Sequence, residues 1–148
     1  MTRLSNMLAA HPHPAGSNGD AAQQCIEACF DCAEICQICA DACLAETDAN
    51  ALVHCIRLNL DCADICDVTG KLLARTGRRD ANTLHLQLHA CAQACRSCAD
   101  ECEQHAREMD MEHCRICAEA CRRCAEACDA MVVALVPSSR PAFWASSR

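Results

Sequence analysis

Between residues 20 and 136 the inward-facing positions recur every three or four residues, with polar and charged residues between them. The gaps run 4, 3, 4, 3, 4 from Cys25 through Cys29, Cys32, Cys36, Cys39 and Cys43. That alternation averages one residue per helical turn and puts all six on one face. It predicts a helix over about 20–46, with Asp20 as its cap. A second stripe, Cys55, Asn59, Cys62, Cys66, Thr69 and Leu73, predicts a helix over about 50–76. Asp48 or Asn50 would cap it, and it would end near Gly77. Gly70 inside it weakens the pattern. A third stripe runs Leu84, Leu88, Cys91, Cys95, Cys98, Cys102, His105, Met109 and predicts a helix over about 80–107, opened by Asp80. The fourth runs His113/Cys114, Cys117, Cys121, Cys124, Cys128, Met131, Leu135 over about 111–136, with Pro137 as its stop.

Neither Gly nor Pro lies between Gly77 and Pro137. The break between the last two helices rests on phase. Cys102 and Cys114 are twelve residues apart, about 120° out of register on one continuous helix. A tight turn with Asp110 as N-cap returns both stripes to the inside. Ahead of the bundle, residues 1–19 hold a short apolar patch (Leu4, Met7, Leu8), then a linker rich in Pro, Gly, Ser and Asn. Beyond Pro137 the tail to Arg148 is polar apart from a few residues around Trp144. The predicted fold is all-α, an antiparallel up-down four-helix bundle over 20–136, flanked by 1–19 and 137–148.

Composition changes this picture in one respect. The stripes are written in sulfur: 18 of 148 residues are Cys, against two Phe, one Trp and no Tyr. That density fits a disulfide scaffold or a metal protein. Disulfides are disfavoured because cysteines at i, i+3 and i+4 of one helix point in parallel. The first twenty residues hold one Arg, two prolines and no apolar run of signal-peptide length, so the expected compartment is the reducing cytosol. No segment has the length of an apolar membrane span. A net charge of −7 without a basic run excludes nucleic acid as the expected partner.

Cys-Ala-Asp/Glu-x-Cys occurs six times, at 32–36, 39–43, 62–66, 98–102, 117–121 and 124–128. The small Ala lets helices approach, and the acid stands toward solvent. Eight Cys-x3-Cys pairs use all the cysteines except Cys55 and Cys114. Each pair sets two thiols about 5–6 Å apart at Cβ on one face. Soft thiolates select Cu(I), Zn(II) or iron–sulfur clusters. Cu(I) that replaces a thiol proton leaves the interior charge unchanged. Zn(II) demands four sulfurs each and accumulates buried negative charge unless many sulfurs bridge. Cluster-binding cysteines normally wrap a cluster from loops, whereas these sit in uninterrupted helix-forming sequence. An iron–sulfur or other electron-transfer protein is therefore the second reading. No nucleophile–base arrangement suggests an enzyme.

The repeated Cys-Ala-Asp/Glu-x-Cys on four helices resembles the bacterial copper storage proteins, over about residues 20–136. Without a signal peptide it resembles the cytosolic branch. The resemblance implies storage of multiple Cu(I) ions, in tetramers of bundles, and expected partners are copper ions and a copper chaperone that delivers them. It carries the ligand role onto each stripe cysteine: Cys25, Cys29, Cys32, Cys36, Cys39, Cys43, Cys55, Cys62, Cys66, Cys91, Cys95, Cys98, Cys102, Cys114, Cys117, Cys121, Cys124 and Cys128. His113 and His105 share inward faces with cysteines and join the candidate set. Met109 and Met111 are core filler with thioethers suited to Cu(I). His11 and His13 fall in the linker, and His54, His85 and His89 fall off the stripes. Asn59 reads as a satisfied buried polar group. In an up-down bundle the connections near 44–50 and 106–111 share one end. That end gathers His105, His113, Met109 and Met111, and the other gathers Thr69, Leu73, Leu84, Leu88, Met131 and Leu135.

Overall fold

A computed structural model describes residues 2–14 and 16–135, and over these the chain is helical without strands. The expectations for Pro137 and the tail lie outside the described residues. Among the described residues there are five α-helices: α1 Arg3–Ala10, α2 Gly19–Leu44, α3 Val53–Ala74, α4 Ala81–Met109 and α5 Glu112–Leu135. Helices α2–α5 form the bundle. Each packs on its neighbours in sequence, and α5 closes the ring against α2. Sulfur contacts give the direction. Cys25 meets Cys128, Cys32 meets Cys121 and Cys36 meets Cys117, so α2 advances as α5 retreats. Cys55–Cys102, Cys62–Cys95 and Cys66–Cys91 give the same antiparallel register for α3 and α4.

The six Cys-Ala-acid-x-Cys repeats explain the close packing. Ala40, Ala63, Ala99, Ala118 and Ala125 are buried at helix contacts, Ala33 is half-buried, and all six acids are exposed. Gly70 does not break α3. A Cβ there would lie 2.9 Å from Phe30 Cζ, so the glycine is where the Phe30 ring of α2 lies across α3. The N-terminal patch forms α1, started by the Thr2 hydroxyl accepting from the Ser5 N–H at 3.1 Å. Leu4 and Leu8 pack on the core, while Met7 stays exposed.

The predicted caps need correction. Asn18, not Asp20, is the N-cap of α2, and Asp20 sits in its first turn, where its charge complements the helix dipole. Asp48 opens a 3-10 turn, Ala49–Leu52, that contains Asn50, and α3 starts only at Val53. The turn drives Leu52 into the core, fully buried. Asp80 does precede α4, with its carboxylate held below the usual range by the Thr83 hydroxyl. Asp110 is not the N-cap of α5. It ends α4 in the left-handed conformation, φ 51°, ψ 44°. Two residues must reverse the chain there, and aspartate is among the few residues that tolerate this region.

Candidate metal centre

Because 3.6 residues per turn brings every stripe cysteine to the bundle axis, all eighteen thiols are buried and none is in a disulfide. The six of α2 alone span about 27 Å of axis at 1.5 Å per residue. Within one helix, Cys25–Cys29, Cys32–Cys36 and Cys62–Cys66 lie 4.0, 3.7 and 3.8 Å apart at Sγ. Between helices the spacing is the same: Cys36–Cys121 3.5 Å, Cys66–Cys95 3.5 Å, Cys124–Cys29 3.7 Å. Cys66–Cys124, at 3.9 Å, crosses the bundle from α3 to α5. The stripes have merged into one column of sulfur.

Sets of four donors within 4.8 Å of one another recur along it. Cys29/Cys91/Cys124/Cys128, Cys32/Cys62/Cys66/Cys95 and Cys36/Cys98/Cys117/Cys121 each draw on three helices. Three sulfurs around an ion at a metal–thiolate distance of about 2.3 Å stand about 4.0 Å apart. The column is thus close to metal-bound spacing before any ion arrives. Burial disfavours the thiolate at each of these sulfurs, while hydrogen bonds between thiols push neighbours in opposite directions: Cys62 is lowered chiefly by its contact with Cys121 and Cys91 by its contact with Cys124. Cys66 is pushed up by its contacts with Cys124 and then other thiols, and Cys121 by Cys117 and then others, with burial adding in both.

One end of the column is finished with nitrogen. Cys39, Cys43, Cys114 and His113 form a four-donor set. His113 Nδ1 lies 3.4 Å from Cys39 Sγ and 3.6 Å from Cys114 Sγ. Its Nε2 lies 2.9 Å from Glu46 Oε1 in the α2–α3 connection. A carboxylate only accepts, so Nε2 carries a proton, and in the neutral imidazole Nδ1 turns its lone pair to the sulfurs. His113 is a quarter exposed, so it stands at the boundary between solvent and thiols. His105 is buried on the same end, but its ring meets Glu101 Oε1 at 2.9 Å and Met109 Sδ at 3.4 Å rather than a thiol. Met111 is buried, and Met109 is partly exposed.

The opposite end is closed by Leu73, Leu84, Leu88 and Met131, all buried, and Leu135 and α1's Leu4 and Leu8 pack against the core to which those four belong. Thr69 is satisfied by donating to Ile65 O and accepting from Gln87.

A family model for copper storage proteins matches residues 18–133. The chain belongs to the copper storage protein family. Solved structures agree with that placement. The copper storage protein Ccsp from Streptomyces lividans, loaded with 10 copper equivalents, is 44% identical, covers 88% of this chain and 98% of its own, and has a TM-score of 0.83. The Cu(I)-bound copper storage protein BsCsp3 is 38% identical, covers 76% and 98%, and has a TM-score of 0.66. Apo Csp3 from Bacillus subtilis is 40% identical, covers 73% and 95%, and has a TM-score of 0.63. No curated protein matches the chain in sequence.

Relative to what the residues alone indicated, this copper storage protein adds three side chains to the site. Asn59 is fully buried and serves as a junction. Its Oδ1 accepts from Cys117 at 3.0 Å and Cys98 at 3.2 Å, and its Nδ2 donates to Cys55 O at 3.0 Å. Its Nδ2 also donates to Cys39 Sγ at 3.7 Å, so Asn59 joins all four helices at the level where the His113 group meets the deeper sulfurs. Glu101 was legible as the residue four before His105. Glu46 carried no signal, since 67 residues separate it from His113. His54, His85 and His89 are exposed and take no part in the column.

Proposed function

We propose that this chain stores Cu(I), holding many ions along its thiol column in the cytosol. The observation that carries the reading is the merging of eighteen buried thiols from four helices into one column, most of them with a neighbouring sulfur at 3.5–4.0 Å. Charge selects the ion. Each Cu(I) that displaces one thiol proton leaves a dry interior neutral, whereas tetrahedral Zn(II) sites would leave unbalanced thiolate charge there. An iron–sulfur carrier would need four ligands wrapped around one cluster, and this column offers a continuous row.

In this reading every cysteine from Cys25 to Cys128 is a ligand. His113 takes ions at the mouth through Nδ1, and His105, with Met109, lies beside it. Copper enters at the histidine end, because an ion crossing the leucine plug would be without donors. Residues 20–136 form the storage unit, with 1–19 and 137–148 as appendages. The unit assembles as a homotetramer and receives copper from a chaperone, as its family resemblance implies. It acts by sequestration rather than catalysis. The Streptomyces relative is described as a cytosolic copper storage protein, and none of the described helices is long and apolar enough to cross a membrane.

Anaerobic titration of the reduced protein with Cu(I) against a competing chelator tests this. The expected capacity is well above four ions per chain and near the cysteine count. Saturation at one to four ions, or preferential binding of iron with a brown colour, would overturn it.

A further inference from the structure

Among the histidines to which the copper reading gives no role, one pair shares a helix face. His85 and His89 are four residues apart on α4, hence on one face a single turn apart. Their rings have already converged, with centroids 4.6 Å apart and planes at 73°. Leu84 and Leu88, each one residue earlier, take the buried positions, and both histidines are exposed outside the sulfur column. Among the described residues, no hydrogen bond or ion pair engages either ring. His105 and His113 differ in this, because each commits a nitrogen to a carboxylate.

We propose that His85 and His89 form an external bidentate site for a divalent first-row transition ion. Two neutral imidazoles one helical turn apart can hold one ion between them, with water completing its coordination. Imidazole suits Cu(II), Ni(II) and Zn(II), while thiolates take Cu(I). The protein therefore presents two metal sites of different softness. The soft one lies inside and is dry, and the borderline one lies outside and is wet. A plain edge-to-face contact between the rings would bind no ion.

The probe is Ni(II), added anaerobically to protein saturated with Cu(I). A free-thiol assay before each titration reports whether the thiols are occupied, so failure of copper loading is read apart from failure of the histidine pair. Calorimetry should give one Ni(II) per chain, and the side-chain 15N resonances of His85 and His89 should broaden together. His85→Ala or His89→Ala should weaken binding about tenfold or more, because the second ligand is no longer intramolecular. The double variant should lose the site and keep the full Cu(I) capacity. His11→Ala/His13→Ala should bind Ni(II) like wild type. The proposal is overturned if the His85→Ala/His89→Ala protein binds Ni(II) unchanged, or if the loss follows His11 and His13 instead.

Discussion

Replacing Glu46 by Gln probes how the mouth is tuned without touching a sulfur. Glu46 Oε1 accepts from His113 Nε2 at 2.9 Å, which leaves Nδ1 aimed at Cys39 and Cys114. Gln keeps the shape and an acceptor oxygen but removes the charge that makes the imidazole a stronger donor. Loss of such an outer partner lowers metal affinity roughly 10–100-fold, or about 1.4–2.7 kcal/mol. The Glu46 side chain is 36% exposed, so solvent screening puts the expected effect near the lower bound. Competition with a Cu(I) chelator at less than one equivalent should therefore show about tenfold weaker first binding in Glu46→Gln. Stopped-flow loading should be slower, and total capacity should be unchanged because all eighteen thiols remain. His113→Ala should go further in the same direction. First-equivalent affinity and loading rate equal to wild type in both variants would refute the reasoning. Slowed uptake after Leu84→Phe or Leu88→Phe, with His113→Ala at wild-type rate, would move the entrance to the leucine end.

Circular dichroism of the reduced, metal-free chain should already show a helical protein, since its helix formers and caps need no ion; mostly coil would contradict this. Arg122 bridges Glu103 at 2.9–3.0 Å and Asp100 at 2.6 Å on a largely exposed surface, so Arg122→Ala should cost less than about 1 kcal/mol in urea melts at neutral pH. Arg122 also holds the Glu103 carboxyl below its usual range, so this contribution is present above the unfolded value of about 4.3 and is lost as pH falls through the lower folded value. The gap between wild type and variant should close in melts taken below that range. Gly70→Ala should change stability by no more than about 1 kcal/mol, because the helix-propensity gain offsets the displacement of the free end of the Phe30 ring. A loss above about 3 kcal/mol would mean the ring cannot move.

The bundle and its sulfur lining were legible because both follow from one periodicity. A residue's place on a helix face is fixed by its spacing, so Cys55, Asn59, Cys62, Cys66, Thr69 and Leu73 could all be assigned inward, and all are fully buried. The sharing of one end by the two short connections follows from up-down topology, and the contact of Glu46 with His113 agrees with it. Among the caps only Asp80 was legible. Asp20, Asp48 and Asp110 suit several positions around a helix end, and the choice among them is made by burial of Leu52 and by the need to reverse the chain in two residues. Asn59 was assigned to the inside as a polar residue with a partner. That its partners are thiols from α4 and α5 depends on which stripes face it, information that no single helix carries.

In this protein the proposed ligands and the core are the same side chains, which would couple metal content to stability. An ordinary metalloprotein packs its interior with leucine and sets its metal to one side, so losing the ion leaves the fold nearly as durable as before. Here each ion that binds only the folded chain adds to the stability of the whole interior. Emptying the column removes cross-links between helices whose packing otherwise rests on small alanines and weakly interacting thiols. A full store and an empty one are then different substrates for a protease, which acts on the fraction of chains that open. Limited proteolysis should therefore cut the copper-loaded chain more slowly than the metal-free one.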